Sequence, residues 1–418
     1  MKVIHISCFD WMGGAGKAAN RLHNELRKKG VDSHMLVDVK ERRDDPTIHS
    51  LTGLTGLPSR IYYHLRSKVD QRALSQYPSR KKTPWVVGKL NRKIATKIER
   101  YAPDLVHVHW TSATASLKEL VELPYPVLWT MHDIGLATGG CCYPGSCERY
   151  KIGCGRCPQL GSEDANDLSS QSFKARRKVF ANSGPTFVVL SEWQQNTVSQ
   201  SPILEGCKFV KIANGVNIDN FKPMDKAAAR SALALPHMRT IIGFGAESVT
   251  NPLKGGAVLG EALKILCARL PEANRPVLAV FGAAGELHNF HTEMEVFNLG
   301  YLTQDRLAQF YSAMDLMVVP SLEDNCPQVP QEAQSCGCPV VGFANTGVAE
   351  LILDGVTGRV VKFNDPEALA EGIGSVLKTR QKSPAEIRAL TVNRFSINNV
   401  VDKYIEVYKQ LIANDLNG

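Results

Sequence analysis

Two carboxylates eight residues apart, Asp324 and Glu332, stand in the stretch PSLEDNCPQVPQEAQSCGCPVV from Pro320 to Val341. The run Leu316-Met317-Val318-Val319 before it reads as a short strand. Ser321, Asp324 and Asn325 are good helix starters, so both acids are expected on a strand, loop and helix junction, where open α/β sheets bind ligands. Three other groups could serve such a ligand. Gly13-Gly14-Ala15-Gly16-Lys17 falls between the first apolar run and the first helical stretch; glycines there let backbone amides approach a phosphate, and a helix N-terminus favours negative charge. Lys254-Gly255 precedes a second helical stretch and puts a cation where phosphates would sit. His132-Asp133 follows Val127 to Thr130, at the C-terminal and therefore functional edge of a strand. Each has a plainer use: a tight turn for the glycines, an exposed turn for Lys254, a satisfied buried histidine for His132, and a dipole-stabilising helix acid for Glu332.

Five of the eleven cysteines crowd between Cys141 and Cys157. A closing C-x2-C with glycine inside and proline after it reads as a zinc knuckle, and Cys141, Cys147, Cys154 and Cys157 would make a tetrahedral set for a structural zinc. Free thiols or a labile disulfide pair are the other readings. Such a zinc would order the loop after His132 and take no part in catalysis.

The elements that must hold these residues alternate. Val3-Ile4-His5-Ile6 is a strand, Gly13 to Gly16 a turn, Ala18 to Lys29 a helix, and His34 to Val37 the next strand. Strands are also predicted at 105–108, 127–130, 187–190, 209–212 and 214–217, then, in a second cycle, at 241–244, 277–280, 316–319 and 339–343. A β-α-β rhythm of this kind implies parallel sheets. At 418 residues the chain exceeds one ordinary core, so we expect two doubly wound Rossmann-like lobes with a cleft between them. The predicted boundaries are 1–223, with a Cys-rich loop at 139–162, then 224–395, and a last helix over 396–418 packing back on the first lobe. The composition, 44% hydrophobic and 22% charged, excludes disordered and fibrous classes. No apolar run approaches the roughly 20 residues of a membrane span, and the start MKVIHISCFDW enters a strand directly, so a cytoplasmic protein is expected.

Charge is uneven: 32 Lys+Arg face 20 Asp+Glu over residues 1–223, against 17 and 21 beyond. Within 51–100, a helical insertion, twelve basic residues meet only Asp70 and Glu99. This is either a solvated surface or a patch for anionic lipid at the inner face of the membrane. No nucleic-acid motif accompanies it. Gly14-x-Gly16-x-x-Ala19 with Asp38 about 20 residues on also satisfies a dinucleotide fingerprint, so an NAD-dependent oxidoreductase stands as an alternative.

The segment carrying Asp324 and Glu332 resembles the E-x7-E element of retaining GT-B glycosyltransferases of family four. Gly13-Gly14-x-Gly16 is similar to their GG-x-G loop, Thr130-x-His132-Asp133 to their T-x-H-D, and Lys254-Gly255 to their K-G. Pro320-Ser321, Gly337-x-Pro339-Val340-Val341 and Gly347-Val348-Ala349-Glu350 follow in family order. The cysteine stretch, with TGGC, CERY and CGRCPQL, is similar to colanic-acid-type exopolysaccharide enzymes. The resemblance implies a GT-B fold and a hexosyl or deoxyhexosyl transferase, acting with retention, that moves sugar from a nucleotide diphosphate sugar to a saccharide or lipid-linked saccharide. No metal is needed for that chemistry. It implies donor contacts at Gly14, Gly16, Lys254, Glu323, Asp324, Asn325 and Glu332, with His132, Asp324 and Lys254 at the reacting centre. Lys17, His109 and Asp133 fall on the acceptor side. Two departures stand out: Asp324 is one carbon shorter than the family's acid, and Gly245-Ala246-Glu247 occupies the place of an expected arginine. A sugar-nucleotide-binding protein without catalysis would fit those departures.

Overall fold

A computed structural model describes residues 1–42, 44–181, 184–283, 294–379 and 382–416. The chain forms two compact units: residues 1–213 with 401–418, and residues 214–400.

The first unit is built on a seven-stranded sheet of order β3-β2-β1-β4-β5-β6-β7. Its strands are β1 Lys2–Phe9, β2 Asp32–Val39, β3 Ile48–Ser50, β4 Leu105–Val108, β5 Val127–Thr130, β6 Thr186–Val189 and β7 Phe209–Lys211. All its strand pairs are parallel. Ile4, Ile6, Val106, Val108 and Trp129 face one core. The alternate positions carry histidine, because β1 and β4 pair with His5 opposite His107 and side chains on a strand repeat every two residues. One face of the sheet is therefore aliphatic and the other holds imidazoles.

The second unit has a six-stranded parallel sheet of order β10-β9-β8-β11-β12-β13. The strands are β8 Ile241–Ser248, β9 Val277–Ala283, β10 Val296–Asn298, β11 Leu316–Val319, β12 Val340–Phe343 and β13 Gly358–Val361. Phe244, Leu263, Leu278, Val318 and Phe343 lie in its core. Strands in both units read as near-continuous apolar runs, as sheets covered on both faces require.

The predicted alternation is present, with differences over residues 214–223. Residues 214–217 are not a strand; Val216 makes a single bridge to Ser396. That segment is tied into the second unit, since Asn214 O accepts from Gln331 Nε2 and Arg388 donates to the carbonyls of Ile218 and Phe221. The division accordingly falls after Ala213, ahead of the predicted boundary at 223. The last helix, Ile397–Leu416, belongs to the first unit from Val401 onward. There the Tyr408 hydroxyl lies 2.7 Å from His107 Nδ1, and Lys29 pairs with Asp402.

Candidate active site

In the second unit the acids sit where the loop after β11 turns into the helix Gln328–Ser335. That helix starts later than Ser321, Asp324 and Asn325 suggested. Pro327 is its N-cap, with no side-chain cap, and the would-be starters form the loop. Two glycines give the loop its path. Gly347 donates its amide to Asp324 O at 2.9 Å, and a Cβ there would lie 1.8 Å from Asn325 O. Gly255, in the left-handed region at φ 72°, backs onto Pro320 O so closely that a Cβ would come within 1.9 Å. The turn Pro252–Lys254, fastened by the Asn251 side chain on the Leu253 amide, is thereby pressed against the β11 loop.

The result is an ion pair: Lys254 Nζ donates to Asp324 Oδ2 at 2.5 Å, with both side chains half-buried. Ser321 Oγ also reaches Asp324, at 3.4 Å. Glu332, eight residues on, is buried and accepts the Tyr311 hydroxyl at 2.9 Å. Burial first, and then the neighbouring Glu332, hold the Tyr311 phenol well above its ordinary pKa, so it stays a donor. Sequence reasoning overlooked Tyr311, whose partnership depends on how the helix Gln304–Ala313 packs. Glu323 and Asn325 flank Asp324 in the same loop; Asn325 is buried.

In the first unit the glycines Gly13, Gly14 and Gly16 are not a separate turn but the opening of the helix Gly13–Lys28, with Lys17 in its second turn. Gly16 packs on β1, where a Cβ would sit 3.1 Å from Phe9 O, whereas Gly14 faces open space. Its first turn carries no acid and has no side-chain cap.

His132 and Asp133 follow β5 and line a pocket with His109, Trp110, Ser112 and Met131. Asp133 accepts from the Gly135 amide at 2.7 Å and from Trp110 Nε1 at 3.0 Å, while burial raises its pKa. His132 Nε2 lies 3.2 Å from His109 Nδ1, and His109 Nε2 lies 3.0 Å from His5 Nδ1. Three imidazoles thus form one hydrogen-bonded row. Burial lowers the His132 pKa to about 4 and takes His5, His107 and His109 well below their ordinary value, so the row is neutral near pH 7. His109 therefore lines the pocket while bonded through both nitrogens. His5 was not expected near the site; the β1–β4 register brings it there. Gln194, donating to Met131 O, and Arg176, donating to the carbonyls of Gly135 and Thr138, brace the loop around His132.

Cys141, Cys147, Cys154 and Cys157 line one cavity with Trp85 and Gly139. Cys142 lies apart, against Asp133. The Gly139 amide donates to Cys154 sulfur, and the Leu160 and Gln159 amides to Cys157. Cys154 and Arg156 hold positive φ angles of 56° and 45°, so the backbone turns sharply there. No described cysteine is in a disulfide. Among the described residues the trio with ligand atoms within 4.8 Å of one another is His5, His107 and His109, so the thiols share a cavity without closing to that spacing.

Asp38 corrects the dinucleotide alternative. Its side chain is fully buried and bound by two guanidinium groups, Arg66 at 2.9 and 3.0 Å and Arg92. A carboxylate so engaged is not offered to a ribose hydroxyl, and two of the insertion's basic residues are consumed inside the unit.

The family described as "Glycosyltransferase Family 4" matches residues 12–220, and "Glycosyl transferases group 1" matches residues 225–394. The chain belongs to glycosyltransferase family 4. A D-inositol 3-phosphate glycosyltransferase of Mycolicibacterium vanbaalenii is 32% identical, over 74% of this chain and 68% of that one. D-inositol 3-phosphate glycosyltransferase 2 of Catenulispora acidiphila is 35% identical, but over 39% of this chain, and the match spans only 41% of that relative's length. In fold, sucrose-phosphate synthase from Thermosynechococcus elongatus superimposes with a TM-score of 0.69 at 19% identity, covering 99% of both chains. HepE of Anabaena, in complex with UDP and glucose, gives 0.64 at 18% identity, over 98% of this chain and 100% of that one. The two Rossmann-like lobes are thus those of GT-B glycosyltransferases.

Proposed function

We propose that this chain is a retaining glycosyltransferase that moves a hexosyl or deoxyhexosyl group from a nucleoside diphosphate sugar to a saccharide or lipid-linked saccharide, in bacterial surface or exopolysaccharide assembly. The observation that carries the reading is Lys254 held 2.5 Å from Asp324 at the C-terminal end of β11, with Glu332 buried in the helix that follows. A fixed cation there offsets the charge that develops on a departing diphosphate. Glu332 is assigned to the ribose, Asp324 with its neighbours Glu323 and Asn325 to the donor sugar, and Gly14 and Gly16 to backbone approach by the phosphates. His132, neutral and held by His109, is assigned to the transferred sugar as a hydrogen-bonding group. Lys17, His109 and Asp133 belong to the acceptor side.

In the reaction the bond from the anomeric carbon to the phosphate oxygen breaks and a bond to the acceptor oxygen forms on the same face. The acceptor's proton passes to the leaving phosphate oxygen, so no separate base is required. This reading gives catalysis to side chains and amides and none to a metal. Zinc is assigned a structural place only, at Cys141, Cys147, Cys154 and Cys157, supported by their common cavity and by the amides aimed at two of the sulfurs.

A thermal-shift screen of UDP, GDP, ADP, their sugars and NADH tests the donor assignment. UDP comes first because HepE was solved with it. A nucleotide sugar should raise the melting temperature and NADH should not; stabilisation by NADH alone would overturn the reading. Transfer assays with saccharide, lipid-linked and inositol phosphate acceptors then separate an enzyme from a binding protein. The inositol arm is included because the curated relatives carry that acceptor in their names. Metal analysis should find about one zinc per chain; less than a tenth of an equivalent removes the zinc assignment.

A further inference from the structure

The helix Leu57–Asp70 has two unlike faces. Inward, Tyr63 donates to Ser112 O at 3.1 Å, Arg66 clamps Asp38, and Asp70, 5% exposed, accepts the amides of Gly88 and Lys89. Outward, four aliphatic residues recur every fourth position and stay in water: Leu57 is 64% exposed, Ile61 52%, Leu65 57% and Val69 62%. Tyr62 and Leu54 extend the stripe. Spacing of four keeps them on one side of a helix about 21 Å long, a continuous apolar strip of the kind that marks a binding surface. The basic residues that follow the strip in sequence are exposed: Lys68 on the helix and Arg72 just beyond it have no ion-pair partner among the described residues, nor have Lys81 and Lys82 further along the chain. Asp70, one of the two acids in the insertion, is spent inside. Arg60, at the start of the helix, is the exception, paired with Glu41.

We infer that this helix docks the protein on an anionic lipid surface, lying in the interface with Leu57, Ile61, Leu65 and Val69 among the acyl chains and the lysines and arginines at the headgroups. Amphipathic helices with an apolar strip and a basic border bind in that way. A second copy of the chain is the poorer occupant. A two-fold contact would set the same patch against itself and oppose its own positive charges. The inward face ties the helix to Asp38, at the end of β2, and to Ser112, which lines the His132 pocket. On the acceptor reading above, docking would bring that pocket to the lipid; the docking itself does not rest on that reading.

Sedimentation of the full chain with vesicles tests it. The protein should pellet with vesicles of phosphatidylcholine and phosphatidylglycerol at 3:1 and stay in the supernatant with phosphatidylcholine alone, the binding weakening as salt rises from about 0.1 to 0.5 M. Ile61→Asp with Leu65→Asp should lower partitioning at least tenfold. Its melting temperature should stay within about 2 °C, because both side chains are already in water. Lys68→Glu with Arg72→Glu should lower binding to the anionic vesicles without touching the apolar strip. Wild-type protein left in the supernatant, or the Asp variant pelleting as wild type does, would overturn the inference. So would a dimer in light scattering that the Asp variant dissolves while no vesicle binding is seen; that result gives the strip to a second copy.

Discussion

In the first unit the polar side chains at the strand ends are imidazoles withdrawn from water and kept neutral, whereas in the second they are a lysine and two acids held in pairs. The difference follows from what each set is bonded to. His132, His109 and His5 are bonded to one another, so burial costs them their charge while the row keeps its internal hydrogen bonds; His5 Nε2, at its end, is buried without a partner. Lys254 and Asp324 instead face one another as an ion pair at 2.5 Å. A neutral row suits hydroxyl groups that must be oriented; a fixed cation suits a diphosphate.

The sharpest way to break this contrast is to remove the cation. Lys254→Ala should lower donor kcat/KM by about 10² to 10³, as loss of one charge-stabilising donor typically does, with Lys254→Arg recovering part of it. Steady-state kinetics with the nucleotide sugar that binds will show this; an unchanged value would leave the ion pair purely structural. Glu332→Ala should follow, raising donor KM and lowering turnover, together about tenfold to a hundredfold in kcat/KM. It also strips the Tyr311 hydroxyl of its acceptor, at about 1–3 kcal/mol of stability. Adding Tyr311→Phe should restore the melting temperature and leave KM high; if KM recovers as well, Glu332 acts only through folding.

A smaller effect separates the units by pH. His132, in the row, and His23, on the helix Gly13–Lys28 with its ring between the Ser33 and Thr47 hydroxyls, have folded pKa values of about 4 against an ordinary 6.5, so the unfolded chain binds more protons between those values. Their contribution is complete above pH 6.5 and is lost as pH falls towards 4, roughly 1–2 kcal/mol each by pH 5. Hydrogen exchange at pH 5 against pH 7.5 should therefore show protection falling in β1, β4 and β5 while β11 and β12 hold. Equal loss in both units would mean that the histidine row is not what distinguishes them.

Much of this architecture could be read before any coordinates. Apolar runs such as Leu105 to Val108 and Leu316 to Val319 became strands with unchanged ends, because a strand covered on both faces leaves a continuous signal. The short edge strands Ile48–Ser50 and Val296–Asn298 left too little pattern to notice. Residues 214–217 looked like a strand but follow the bonds of the second unit. In the site, Asp324, Glu332, Lys254 and His132 were visible through type and spacing. Their partners were not: Tyr311 depends on how two helices meet, His5 on strand register, and the fate of Asp38 on arginines 28 and 54 residues away.

The return of the last helix has a consequence for the order in which the protein is made. Residues 1–213 emerge from the ribosome first, yet Val401 and Tyr408, both fully buried, complete that unit's core, and His107 waits for the Tyr408 hydroxyl. The intervening residues 214–400 take about 10 to 40 s to synthesise. During that interval the second unit can close its own core while the first keeps an apolar groove open and His107 Nδ1 lacks its partner, Nε2 being held by Thr130. The earlier-made half is thus the later to finish, and a chain broken off before Tyr408 would damage the unit that was translated first.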